Sequence, residues 1–222
     1  MERVLVVGAS GGIGAALCAA LTARGAAVTG VSRAADGLDV TVEETVARAL
    51  APLPSGAFDG VIVATGALTI EGLGPEKSLR ALDLGALQAQ FALNAAGPAL
   101  VLKHALRLMP RDRRAVFAAL SARVGSIGDN GLGGWYGYRA AKAALNQLIH
   151  TAAIEVARSH RQAVCALIHP GTVETALGPA YRAGHPAVSP ATAAANILNV
   201  LDGLTPADSG GFFDWSGARV PW

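Results

Sequence analysis

Short apolar runs alternate with longer stretches of helical period from one end of the chain to the other. Residues 3–8, 27–31, 58–64, 115–120 and 164–168 are apolar without in/out alternation, the pattern of strands covered on both faces. Residues 12–24, 41–50, 82–109, 136–158 and 190–201 read as helices between them. This alternation predicts right-handed crossovers and therefore an α/β fold, a doubly wound parallel sheet with helices on both faces. No linker, solenoid-length repeat or low-complexity tail interrupts it, so residues 1–222 are read as a single domain.

Composition narrows the function class. Hydrophobic residues make up 52% of the chain and charged ones 15%, so most of it belongs in packed elements. A net charge of +2 without a basic stripe or tail argues against nucleic acid as a partner. Cys18 and Cys165 lie in apolar surroundings and suit small buried hydrophobes, compatible with a reducing cytoplasm. His104, His150, His160, His169 and His185 show no ligand-like spacing, so no structural metal is expected. Residues 4–23 form a charge-free run long enough to span a bilayer. Four glycines within 8–14 interrupt it, and a strand, a turn and a helix explain it better than a membrane span or signal peptide.

The turn itself carries chemistry. Gly8, Ser10, Gly11, Gly12, Ile13 and Gly14 follow the first strand and open the first helix. Glycines there let the backbone approach a diphosphate and place its oxygens at a helix N-terminus, where N–H groups and the dipole favour negative charge. The spacing G-x-x-x-G-x-G resembles the short-chain dehydrogenase/reductase superfamily, which implies a Rossmann-type sheet binding a nicotinamide dinucleotide. At the end of the second strand an acid would hydrogen-bond a ribose 2′-hydroxyl and repel a 2′-phosphate. Ser32 and Arg33 stand there instead, a hydroxyl and a forked cation suited to a phosphate, which favours NADP(H) over NAD(H). Asp39 and Val40 resemble the superfamily segment bordering the adenine. Only five residues separate Arg33 from Asp39, so the helix and strand usual in this region must be cut short.

Tyr138 and Lys142 are four apart in a helical stretch and share one face. A phenol titrates near ~10, too high for efficient proton exchange at neutral pH, and a nearby ammonium is expected to pull it down. Pro98 lacks the N–H that would bond the carbonyl of residue 94, so a kink and a free carbonyl are expected at Asn94.

These residues and Pro170, Gly171, Val173 and Thr175 fall in superfamily order along nearly the whole chain. The resemblance implies that Lys142 also holds the nicotinamide ribose, that Asn94 binds a water linking the lysine to solvent, and that residues 170–175 border the carboxamide and diphosphate. Gly66 is kept from the family's Asn-Ala-Gly motif, whereas its asparagine is Ala64 here. The family's substrate-polarising serine falls at Ala122. Ser126, twelve residues before Tyr138, is the first choice to replace it, and Ser121 the second, since strand alternation points Ser121 away from the face of Ala122.

Residues 125–130, 135–146 and the ending at 210–217 with Pro221 and Trp222 resemble the C-factor-like and sniffer-like carbonyl reductase branch. The aromatic ending is expected to cap the last strand, with pocket lining as the alternative. Residues 175–190, with two glycines and three prolines, read as an irregular segment, either a lid over the nicotinamide or a plain surface loop. Two functions follow from the resemblance. One is an NADP(H)-dependent oxidoreductase acting on a small carbonyl or alcohol through Tyr138 and Lys142. The other is a cofactor-binding signalling or scaffold protein of C-factor type with little activity. The uncharged stretch 84–102 allows a homodimer or homotetramer.

Overall fold

The computed structural model describes residues 1–175 and 187–222. Its strands are β1 (Arg3–Val7), β2 (Ala27–Val31), β3 (Gly60–Val63), β4 (Ala115–Leu120), β5 (Ala163–His169) and β6 (Phe212–Asp214). They form one sheet in the order β2-β1-β3-β4-β5-β6, every neighbouring pair parallel. The helices are α1 (Gly12–Ala23), α2 (Arg33–Asp36), α3 (Glu43–Leu50), α4 (Leu84–Phe91), α5 (Gly97–Ala105), α6 (Tyr136–Ser159) and α7 (Pro190–Gly203).

Both faces of the sheet are covered, as the continuous apolar runs predict. Val4 and Val6 point to one core, shared with Leu17 and Leu21 of α1 and with Ile197 and Leu201 of α7. Leu5 and Val7 point to the other, shared with α3, α5 and α6. The charge-free run 4–23 is thus strand, turn and helix. Among the described residues no helix is long and apolar enough to cross a membrane.

Of three features set by details of the sequence, two differ from the sequence pattern and one, the shortened segment after β2, follows it. The long helix expected over 82–109 is broken: α4 passes into a π turn at Ala92–Ala96 before α5 begins, and α5 ends in a 3-10 turn at Leu106–Leu108. Gly97 N–H donates to the Ala92 carbonyl five residues back, the local widening expected beside a proline that donates nothing. Between β2 and β3 there is only the four-residue α2 and then α3, so β2 is the sheet edge. The third feature is β6, which the sequence pattern missed. Its three residues are too few for a periodic signal, and they are strand only because Leu167, Ile168 and His169 pair with Phe212, Phe213 and Asp214. Trp222 stacks on Phe212 with ring centroids 6.2 Å apart, so the aromatic ending caps this last strand.

Of the segment 175–190, residues 176–186 lie outside the described residues, and with them the segment read as a lid or a plain surface loop. Its ends are joined where Val173 bridges Val188 in parallel.

Candidate active site

The sheet reverses its winding between β1 and β3, and the carboxyl ends of strands at such a point form the crevice where α/β folds bind ligands. The glycine turn leaves β1 there. The N–H groups of Gly8 and Ala9 donate to the Val31 carbonyl at 2.8 and 3.1 Å, holding the turn against β2. A Cβ on Gly14 would lie 2.1 Å from the Gly8 carbonyl oxygen, so only glycine lets α1 start this close to the turn. Gly11 caps α1 with no side-chain bond, Ser10, Gly11 and Gly12 are exposed, and Thr175 packs over Gly12. The first N–H groups of α1 therefore face an open groove, the arrangement that receives an anion.

At the far end of that groove the residues divide. Arg33 is exposed, whereas Ser32 is buried and its hydroxyl caps α2 by accepting from Ala35 N–H at 3.2 Å. An acid also returns to this corner: Asp36 accepts from Ser32 N–H at 2.7 Å. The Asp39 carboxyl is held below the usual carboxylate range, chiefly by hydrogen bonds from the Thr41 hydroxyl and N–H. Val40 turns inward and packs against Gly97.

The opposite end is closed. Tyr138 and Lys142 lie on the buried face of α6, 7% and 3% exposed, with Lys142 Nζ 5.8 Å from the Tyr138 ring centroid. Lys142 donates to the Leu120 carbonyl at 2.9 Å. Both it and Asn94 Oδ1 lie against Gly66. From the π turn, Asn94 Nδ2 donates to Gln90 Oε1 at 2.7 Å and to the Ala67 carbonyl at 2.9 Å, while Asn94 Oδ1 accepts from Ala67 N–H. Burial pushes the Tyr138 phenol up to about 12 and the Lys142 amine down to about 7. This corrects the expectation that the lysine lowers the phenol. Desolvation disfavours the charged form of each group.

Tyr138 opens onto a cavity of about 440 Å³, within the usual range for a small-molecule site. Ile13, Pro170, Gly171, Val173 and Thr175 join its wall from the groove side. Ser121, Ala122 and His169 line it from the ends of β4 and β5. Ser126 is not in that wall; it is buried beneath the following loop, where its Oγ accepts from Asp129 N–H at 3.1 Å. Of the two serines, Ser121, the second choice, lines the cavity and Ser126, the first, does not. Ser121 reaches the cavity because the chain leaves the β pattern after Leu120, although its hydroxyl donates to Asn146 Oδ1 at 2.7 Å.

Four residues of the site escape sequence reasoning. Gln90 accepts from Asn94 one helical turn on, and Asn146, on α6, accepts from Ser121 across the site. Glu76 comes from the loop after β3 and caps the N-terminus of α6. Its carboxylate accepts from Gly137 N–H at 3.0 Å and its carbonyl from Trp135 N–H at 2.6 Å. A Cβ on Gly137 would sit 2.8 Å from Glu76 Oε1, so any other residue there would push the capping carboxylate aside. His169 is the fourth. For Gln90 and Asn146 a signal existed, since each is a polar residue one helical turn from Asn94 or Lys142. For Glu76 and His169 the juxtaposition is purely tertiary.

Residues 8–202 match the family model described as enoyl-(acyl carrier protein) reductase, a short-chain alcohol dehydrogenase type. The chain is 31% identical to a 1-hydroxy-2-glutathionyl-2-methyl-3-butene dehydrogenase of Rhodococcus sp. (strain AD45), covering 100% of both chains. It is 35% identical to the C-signal of Myxococcus xanthus, over 64% of this chain and 81% of that one. Among solved structures, a short-chain dehydrogenase/reductase from Burkholderia multivorans with bound NADP aligns with a TM-score of 0.84. The identity is 28%, covering 100% of this chain and 99% of that one.

Proposed function

The chain belongs to the short-chain dehydrogenase/reductase superfamily, and from that membership we propose that it is an NADP(H)-dependent oxidoreductase interconverting a carbonyl and an alcohol, with Tyr138 as the proton-transferring group. The observation that carries this reading is the convergence of Tyr138, Lys142 and Asn94 on one closed corner beside an open helix N-terminus.

The chain's residues fit the cofactor. The N–H groups beyond Gly11 would hold the diphosphate, Arg33 an adenosine 2′-phosphate, and Lys142 the nicotinamide ribose. Bound there, the nicotinamide would supply the hydride that the carbonyl carbon takes up. Tyr138 then gives its proton to the carbonyl oxygen, completing the alcohol, and Lys142 with Asn94 passes the replacement proton in from solvent. A phenol kept protonated by burial is loaded for this reductive direction.

Thermal shift with NADPH and NADH tests the cofactor, with the larger stabilisation expected from NADPH. Loss of NADPH absorbance against aldehydes, ketones and a glutathionyl carbonyl tests the chemistry; the last is included because the Rhodococcus relative is named for a glutathionyl alcohol. No turnover in either direction, despite NADPH binding, would select the signalling reading. That reading is favoured by the likeness to C-signal and by Ala122 in the cavity wall.

A further inference from the structure

A carbonyl oxygen that receives a proton from one side is usually held by a second donor from the other, and the position where the family has its serine is Ala122 in this cavity wall. Ala122 has nothing to donate. Ser126 lies outside the wall. Ser121 has one O–H, and Asn146 takes it. Beside Ser121 stands His169. Leu120 and Ile168 are in register, Ser121 N–H donates to the Ile168 carbonyl at 2.8 Å, and the next residue of β5 is the histidine.

The ring's chemistry follows from where its two nitrogens sit. Nδ1 is buried with no hydrogen-bond partner. His169 lines the cavity, and its Nε2 is not among the buried side-chain atoms left without a partner. Burial, helped by the Arg123 cation and opposed by Asp214, holds the imidazole well below its usual range, near 4, so it is neutral at physiological pH. Arg123 is itself tied to Asp129 at 2.5 Å, with Asp214 at 3.8 Å. A neutral imidazole has one N–H and one lone pair. Leaving a buried N–H unpaired costs more than leaving a lone pair unpaired, so the proton belongs on Nε2.

We propose that His169, through Nε2–H, donates a hydrogen bond to the substrate oxygen opposite Tyr138, in place of the missing serine hydroxyl. The step stays balanced: hydride reaches the carbonyl carbon, the Tyr138 proton reaches the oxygen, and His169 keeps its own proton throughout. The proposal rests on the oxidoreductase reading.

The test uses NADPH-dependent reduction of 4-nitrobenzaldehyde by the full chain and by its His169→Phe and His169→Gln variants. His169→Phe is expected to lower kcat about 100-fold, the usual loss when one such donor is removed. NADPH affinity should stay within about twofold on the same reasoning, because His169 faces the substrate. His169→Gln keeps an N–H near the Nε2 position and should recover most of the loss; its failure to do so in a folded, NADPH-binding chain overturns the proposal. Turnover by His169→Phe close to that of the wild type also overturns it and leaves the oxidoreductase reading standing. A wild-type chain that reduces no carbonyl overturns that reading instead. In that event ¹⁵N NMR of the histidine in the NADP⁺-bound chain still decides the donor: the Nε2–H tautomer supports it, and Nδ1–H or an imidazolium defeats it.

Discussion

The two ends of the groove are built on opposite principles. At the closed end Tyr138, Lys142 and Asn94 are nearly inaccessible, and the amine and the amide are tied to backbone carbonyls of the sheet and the β3–α4 loop. At the open end Arg33 is exposed and stands on a helix of four residues, with Asp36 of the same helix folded back to the strand end. Burial makes the first end a place where protonation states are decided by the protein. Solvent makes the second a place where charges choose among ligands weakly, because water screens them. Substitutions at the closed end should therefore change rate, and those at the open end should change cofactor preference.

The largest effect belongs to Tyr138→Phe, which keeps the ring and removes the proton. Turnover of whichever carbonyl is reduced fastest should fall by about 10³-fold or more, within the range for general acid catalysis, while NADPH still stabilises the chain. Activity that survives in this variant would move the proton donor elsewhere.

Lys142 gives a second way to probe the closed end, read without substrate. Its folded pKa is near 7, whereas an unfolded lysine titrates near ~10.4. Between those values the unfolded chain holds a proton that the folded chain does not, so stability rises with pH across that window. Tyr138, pushed up to about 12, adds an opposing trend only above the ordinary phenol range near ~10. In the cofactor-free protein the melting temperature of the wild type should therefore gain on that of Lys142→Met as pH rises from about 7 to 9.5. A wild type that gained nothing on Lys142→Met over that range would mean that the amine is not desolvated.

Glu76 tests whether the closed end is held from outside its own helix. Glu76→Ala removes the cap at the start of α6, a loss of about 0.5–2 kcal/mol in helices generally, and should loosen Tyr138 two positions into the helix. Turnover should fall roughly tenfold with little change in KM, the signature of a misplaced proton donor. Glu76→Gln keeps an acceptor for Gly137 N–H and should recover most of that loss. Equal damage in both variants would assign the effect to the carboxylate charge rather than to the cap.

The contrast between the ends also explains what the sequence discloses. The layered sheet, the glycine turn and the Tyr138–Lys142 face are all local or periodic: they repeat every two or every 3.6 residues, or sit at one strand–helix junction. A kink near Asn94 was legible because Pro98 announces it, but the break of the helix into a π turn was not. What else stayed hidden was made by contacts between distant segments. The strand β6 exists only through pairing with β5, the cap on α6 reaches across from residue 76, and which serine lines the cavity depends on how the chain leaves β4. The phenol's upward shift is of the same kind, since burial is a property of the packed fold and not of a four-residue spacing.

The open end carries the smallest effect and the sharpest test of the contrast. Arg33 is the feature that favours a 2′-phosphate, yet Asp36 accepts from Ser32 N–H at the end of β2, where an acid disfavours one. Ser32 does not break the tie, because its hydroxyl serves α2. The proposed preference for NADPH therefore rests on one exposed cation working against one acid, each worth about 1 kcal/mol or less in water. Arg33→Ala should weaken NADPH binding by about fivefold and leave NADH binding nearly unchanged, and Asp36→Asn should tighten NADPH by a smaller factor on the same scale. Calorimetric titration at low and at high salt separates the two contributions, because the Arg33 effect should shrink as ionic strength rises. A loss of NADPH affinity in Arg33→Ala that ignored salt would mean that the guanidinium acts through a desolvated, two-pronged contact, and the open end would then resemble the closed one.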